Sequence, residues 1–592
     1  MLASSPVLAV KERVGGWTVA ASAAAGALVF CALFFANGFD EAPLVWIGAL
    51  ALAAAVVPAS AALLGLAPAV GLDRAGAAFL GCLVGLTVWA GASTLWSLSP
   101  DRSWGYTNLT LAYTAFALAG IVLGAWLRRP ASSGARAAAA LLGVLYGWAL
   151  LAKCVPALYG DYGRVARLRA PVGYWNELAL LGAAGVPVAL WLAAPPTRRP
   201  AARAAGAVLL YAAAVVTLMT YSRVGVVIAV LAAVGWTLLA RDRVESIAAA
   251  VVAACAGGAV FAIALSLPGI TGDGEPRALR AHDGALFALA LVAGAAAVAG
   301  AALGLARLEA RRPLSAARRR ALERAAAVVA VALAVAAVAA SAAFAHRIWS
   351  EFANPPTSQI SSGSGRALSL NSSNRWRWWV EEWQAFTEHP LAGTGAGTFQ
   401  LTDLRLRQSA LVTTTEPHNT PLQFLGELGI VGLLLYLGAA VAAAVGIVSA
   451  WRRASGEERA GVAALGLAVA AFFAHGVVDM DWNFVAVCGP FLLVAGLLLG
   501  RPARVAEGAP ARRPLVAAAA VLVALAGVYS LAAPWLAQRE LTTATTPAQF
   551  RKAHSYDPLS TEILSDWATV EAARGRLARA LKLYRDEVAL EL

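Results

Sequence analysis

Charge is what this sequence has least of: 14% of its 592 residues are Asp, Glu, Lys or Arg, against 60% hydrophobic residues and a mean hydropathy of +0.67. Soluble domains carry about 25% charged residues, so the composition excludes a soluble globular chain. Cysteine is scarce too. The five, Cys31, Cys82, Cys154, Cys255 and Cys488, are odd in number, lie inside apolar runs and show no metal-ligand spacing. That excludes a disulfide framework or a cysteine-held metal and leaves them as small apolar residues. No cleavage pattern follows the first apolar run, which reads as an anchor rather than a signal peptide. No fixed-period repeat is visible, which weighs against a transporter built from internal repeats.

What is abundant is apolar run length. Runs at 17–36, 43–66, 75–97, 105–127, 136–158, 174–194, 203–221, 223–240, 246–267, 285–306, 325–346, 420–450, 459–478, 483–499 and 515–533 are of membrane-crossing length, given a hydrocarbon core about 30 Å thick. The reading is an all-α, polytopic helical membrane protein with about 12–15 transmembrane helices. The pair 203–221 and 223–240 is divided by Ser222 alone. The net charge of +13 does not point to nucleic acid. Its clusters at 11–13, 128–136, 197–203, 241–243, 307–324, 452–453 and 501–514 fall on alternate loops. That alternation is the positive-inside pattern and predicts a cytoplasmic N-terminus, with the long segment before 420 and the C-terminal tail outside.

Four parts follow: N-terminal transmembrane helices at 1–346, an extracytoplasmic segment at 347–419, C-terminal transmembrane helices at 420–534 and an extracytoplasmic tail at 535–592. The outer segment begins with a Ser/Asn/Gly-rich loop. "NRWRWWVEEWQAFTEHP" then predicts a helix capped by Ser373 or Asn374 and stopped at Pro390. Trp376, Trp379, Trp383 and Phe386 share one face and Arg377, Glu381, Gln384 and Glu388 the other, so the aromatic face is expected at the headgroups or on the membrane body. "PLAGTGAGTF" reads as a glycine-spaced turn, in preference to a phosphate loop. In the tail, two apolar-periodic helices separated at Gly575 look like a tetratricopeptide unit, with Ala580 and Tyr584 in the second. One such unit cannot bury its faces alone; it must dock on the body, meet a partner or be a truncated array.

Three arginine groups oppose the positive-inside trend: Arg164, Arg167 and Arg169 on a short outer loop, Arg223 at the turn between two apolar runs, and Arg366, Arg375, Arg377, Arg405 and Arg407 on the outer segment. A charge at mid-bilayer costs about 2.5–3.5 kcal/mol on insertion scales, so Arg223 is a functional candidate. Guanidinium groups beside a bilayer suit a lipid pyrophosphate, although headgroup contact or helix pairing would also employ them. Of six histidines, His282 and His389 read as loop residues, His346 ends a span and His554 lies in the tail. His475 stands four residues before Asp479 and is expected to pair with it across one helical turn. His418 is set apart by its surroundings, with Glu416 near, Asn419 next and a helix N-terminus following. That setting favours the neutral imidazole a base requires.

"RWRWWVEEWQAFTEHPLAGTGAGTF" followed by "EPHNTPLQFLGELGIVGLLLYL" resembles the signature of the O-antigen ligase and polymerase superfamily. Arg375 and Trp379 match its first pair. Pro390, Gly393, Gly395 and Phe399 match the second element, and His418, Asn419, Gln423, Glu427, Gly429 and Gly432 the rest. Upstream, "YSR" at 221–223 resembles the family's Ser-Arg, and "RLRAPVGYWN" its Arg-to-Asn stretch, with Arg167 and Asn176 aligned. The chain departs at Ala170 and Trp175, where the family has Gly and Pro, and its extra spans suggest an inserted pair within 246–346. The resemblance implies a glycosyltransferase in the bacterial cytoplasmic membrane, working on its outer face without a cofactor. It would move a glycan from undecaprenyl pyrophosphate to a hydroxyl on a lipid, protein or polysaccharide. Arg223 and Arg375 would hold the pyrophosphate and His418 would act as base. Asn419 or Glu416 would orient its ring, and Arg167, Asn176 and Trp379 would complete substrate binding, with inversion at the anomeric carbon. Outer carboxylates are scattered rather than paired, so no metal is expected, with Asp479 and Asp481 the open point. A repeat-unit polymerase, a non-catalytic anion transporter and a scaffold recruiting a partner through the tail stay open as alternatives.

Overall fold

The computed structural model describes residues 6–36, 41–158, 165–354, 371–410, 412–503 and 513–591; Arg164, Arg366 and most of the Ser/Asn/Gly-rich loop lie outside them. Among the described residues there are twenty-two α-helices and one short antiparallel ribbon, Val70–Leu72 with Gly500–Pro502. Each of the fifteen apolar runs falls on a helix. Twelve of these helices are long and apolar enough to cross a membrane, and Arg223–Leu239 and Val485–Leu499 are shorter apolar helices. The chain is an all-α polytopic membrane protein. The division at Ser222 holds: Pro200–Met219 ends, Tyr221 takes a left-handed φ of 52°, and the Ser222 side chain accepts from the Gly225 amide to cap Arg223–Leu239.

The described residues form two compact units, one of Met1–Pro130, Trp378–Ala450 and Gly476–Leu592, the other of Ala131–Arg377 and Trp451–His475. In the first, Pro100–Trp126 is the central helix, buried along most of its length against Glu41–Leu63, Arg74–Ser93 and Val485–Leu499. Its contact with Val485–Leu499 is made by backbone. A Cβ on Gly120 would stand 2.0 Å from the Leu493 carbonyl oxygen, and one on Gly496 2.2 Å from that of Ala117. Lipid gives helices no hydrophobic reason to associate, so the close approach that small residues allow supplies the attraction.

The expected single span 420–450 is broken. Gly429 has φ 65° and ψ −167°, which splits Thr420–Arg453 into a short buried helix and the membrane helix proper. The cause is a crossing chain: a Cβ on Gly429 would stand 2.2 Å from the Leu391 carbonyl oxygen. The tail folds on the end of Arg513–Leu541, so the boundary expected at 535 falls inside a helix. Pro547–Tyr556, Thr561–Ala573 and Leu577–Glu591 close a small core of Leu541, Phe550, Ile563, Leu564, Trp567 and Leu583. Gly575, with φ 74°, makes the turn read from the sequence.

In the second unit Trp175–Ala193 is the buried helix, enclosed by Pro200–Met219, Arg223–Leu239 and Arg243–Leu265. Two basic residues near helix ends are paired there: Arg203 with Glu309 at 2.6 Å, and Arg319 with Glu245. The Glu458 carboxylate accepts from the amides of Ala131 and Ser132 at 2.7 and 3.0 Å, satisfying two N-terminal donors of Pro130–Cys154.

Candidate active site

In the first unit the glycine-spaced turn wraps a carboxylate, not a phosphate. Gly393, Gly395 and Gly397 have φ of 70°, 106° and 72°. The amides of Gly397 and Phe399 donate to the two Glu427 carboxylate oxygens at 2.8 and 3.2 Å, and the Gly395 amide to the Glu427 carbonyl at 2.8 Å. Glycine is required by approach as well as by dihedral, since a Cβ on Gly393 would stand 2.3 Å from the Glu427 carbonyl carbon. Buried Glu427 thereby couples the two halves of the sequence signature.

His418 follows at the entrance to the broken helix, with a left-handed φ of 53°. Its Nδ1 lies 2.9 Å from Asp479 Oδ1, and its ring stacks on Trp378 at 5.2 Å between centroids. The Trp379 indole N–H donates to the His418 carbonyl at 3.4 Å. Asp479 is held in turn, its carbonyl accepting from the Thr420 amide and its carboxylate from the Met480 amide. A carboxylate on Nδ1 puts the imidazole proton there and makes Nε2 the basic nitrogen, the logic of a hydrolase His–Asp pair.

This arrangement corrects two expectations. The ring is oriented by Asp479 rather than by Asn419 or Glu416: Asn419 Oδ1 accepts from the Leu422 amide at 2.9 Å, and Glu416 Oε2 from Gln423 Nε2 at 2.6 Å. The helix carrying His475 ends at Gly476, so the one-turn spacing to Asp479 is not helical.

Around Glu427 lies a layer of buried acid. Gln423 Nε2 also donates to Tyr106 Oη, which donates to Asn483 Oδ1. Burial, then the Glu427 charge, pushes the Glu416 carboxyl well above the ordinary carboxylate range, with the Asn483 hydrogen bond and the Arg102 guanidinium opposing. Glu382 is 1% exposed, and its two carboxyl oxygens have no hydrogen-bond partner among the described residues. Burial first, then Glu427, Glu416 and Glu381, raises it strongly too, so it is held as the neutral acid. The aromatic helix Arg375–Glu388 turns acidic as well as aromatic side chains inward. Trp378, Glu381, Glu382 and Ala385 form its buried face, while Trp383 is 54% exposed. Nor is it capped as expected, because Ser373 and Asn374 take left-handed φ of 57° and 72°.

The second unit gathers the arginines. Arg223 Nη2 donates to the Asn371 carbonyl at 2.9 Å, and the Arg375 guanidinium is close enough to act on it electrostatically. Arg167 is buried, donating to the Thr220 carbonyl at 2.8 Å and to Asn176 Oδ1 at 3.3 Å. Its guanidinium lies 4.2 Å over Trp175, a contact worth about 2 kcal/mol when desolvated. The departure at Trp175 therefore supplies the platform for Arg167. Beneath it Lys153 donates to the carbonyls of Ala166 and Ile270 at 2.8 and 2.7 Å and fixes the loop. In the first unit, Arg405 pairs with Glu388.

Glu382 and Tyr106 were not legible in the sequence, and Asp479 was read as a partner for His475 or a metal point rather than for His418. Their signals were an acidic pair in "VDMDWN" directly after an apolar run, and the i, i+4, i+7 spacing of Trp378, Glu382 and Ala385.

No curated protein matches the chain. The family model described as O-antigen ligase matches residues 284–437, a stretch that holds Arg375, Trp379, His418 and Glu427 and stops short of Asp479. Over that stretch, about a quarter of the chain, the protein is similar to the O-antigen ligase family, whose activity is of glycosyltransferase type.

Proposed function

We propose that the protein transfers a glycan from undecaprenyl pyrophosphate to an acceptor hydroxyl on the outer face of the cytoplasmic membrane, with the N-terminus inside and the tail outside. The observation that carries this reading is the His418–Asp479 pair at 2.9 Å beside a stacked Trp378. His418 Nε2 takes the acceptor proton as the hydroxyl oxygen attacks the anomeric carbon. The bond from that carbon to the pyrophosphate oxygen breaks on the opposite face, its electron pair leaves with undecaprenyl pyrophosphate, and the configuration inverts. Arg223 and Arg375 receive the charge that builds on the pyrophosphate, and Arg167 with Asn176 shapes the loop beside them. Two guanidinium groups within electrostatic reach of one another suit a dianion. With base and counter-charge supplied by side chains, the reaction needs no metal. The exposed Trp383 suits contact with membrane lipid.

The test uses protein in nanodiscs with undecaprenyl-pyrophosphate-linked oligosaccharide and lipid, protein and glycan acceptors, followed by mass spectrometry. Release of undecaprenyl pyrophosphate with one glycan added per acceptor, lost in His418→Ala, is the expected result. A ladder of products would assign the polymerase reaction instead, and transfer undiminished in His418→Ala would refute the mechanism.

A further inference from the structure

A cavity of about 360 Å³ lies within the first unit, walled on one side by Arg102, Tyr106, Glu416 and Asn483 and on the other by residues from the end of Arg513–Leu541 and from the tail. We propose that this cavity is a sugar subsite, and that the C-terminal helices exist in part to build its outer wall. This deepens the transferase reading and rests on it for the identity of the ligand.

Three properties select the ligand. The volume lies at the low end of small-molecule sites, which begin at about 300 Å³, and has room for one or two sugar rings but not for a polyprenyl chain. The walls mix hydrogen-bonding groups with flat apolar ones: Asp557 and Ser560 are 6% and 8% exposed, and Leu109, Pro534 and Ile563 stand among them. A pyranose has that same mixture, hydroxyls at its rim and C–H groups on its faces. The charge is wrong for a phosphate. Asp101, Asp557 and Glu562 line the cavity with Arg102 as the one guanidinium among the described lining residues, so an anion meets net repulsion while hydroxyl donors find acceptors.

The position links the cavity to the chemistry. Glu416 lies two residues before His418 and is tied through Gln423 to the layer beneath the glycine turn. On the far side, Ser560 caps Thr561–Ala573 through the Ile563 amide and Asp557 accepts from the Leu559 amide, so the tail presents this wall from fixed turns. Gln538 and Glu562 are exposed and mark the mouth. The cavity therefore discriminates on the sugar rather than on a phosphate.

The experiment is saturation-transfer NMR on the full chain in nanodiscs. The probes are glucose, galactose, mannose, N-acetylglucosamine, N-acetylgalactosamine and rhamnose, each alone and with inorganic pyrophosphate. At least one pyranose is expected to receive saturation, and pyrophosphate is expected not to displace it. Gln538→Trp and Glu562→Trp, on separate helices, fill the mouth and are expected to weaken that signal at least tenfold with thermal unfolding unchanged. His418→Ala is expected to keep it, which separates the two claims. Lost transfer with kept sugar binding supports both, and sugar binding without any His418-dependent transfer leaves the cavity standing and the transferase reading refuted. No signal from any pyranose, a signal that survives both filled variants, or displacement by pyrophosphate overturns the subsite.

Discussion

At the scale of single residues, the imidazole of His418 depends on a carboxylate 61 positions away. Asp479→Asn keeps the shape but presents an amide to Nδ1, which no longer enforces the reactive tautomer. Transfer is expected to fall by about 10²–10⁴-fold in kcat with KM little changed, read by steady-state kinetics. Glu427 does a different job: removing its carboxylate strands the buried amides of Gly397 and Phe399. Glu427→Ala is therefore expected to cost about 1–3 kcal/mol of stability, measured by unfolding in detergent. The raised carboxyls of Glu416 and Glu382 make stability depend on pH in a defined direction. The folded protein keeps these protons to higher pH than the unfolded chain. Stability falls as pH rises from the ordinary carboxylate range through the raised one, and is flat with respect to these groups below it. Glu382→Gln should flatten that slope; a Tm-against-pH curve parallel to wild type would contradict the assignment.

At the scale of elements, what was legible was periodicity and what was not was orientation. The break at Ser222, the turn at Gly575 and the glycine turn after Pro390 were all readable, because left-handed or capping residues announce themselves locally. The buried face of Arg375–Glu388 was not. An aromatic stripe outweighs two adjacent glutamates in any reading by hydrophobicity, yet Glu381 and Glu382 are the residues turned inward. The acids that raise Glu382, at Glu416 and Glu427, come from distant sequence and have no local signature. The glycine turn is also the most sensitive element. Gly393→Ala adds a left-handed penalty to a Cβ 2.3 Å from Glu427 backbone, together about 2–5 kcal/mol. Loss of folded protein from the membrane fraction is the expected outcome, and wild-type abundance would contradict the tight approach.

At the scale of the whole molecule, the helical spans were almost entirely readable, since each apolar run had only a helix open to it in lipid. The exception was the run beginning at 420, where Gly429 breaks the helix because another backbone crosses it. Of the proposed site, His418 and the arginines stood out as costly polar residues in an apolar chain, whereas Asp479 lay beyond the stretch that the family model matches. A mechanism carried by side chains also makes a statement about the molecule as purified, namely that transfer survives EDTA within about twofold. The central claim, that His418 and Asp479 act as one base, is tested most directly by a double-mutant cycle on kcat for transfer. The account expects His418→Ala, Asp479→Asn and the double variant to be impaired to within a fewfold of one another. Multiplicative losses, or an Asp479→Asn variant with wild-type kcat, would contradict it.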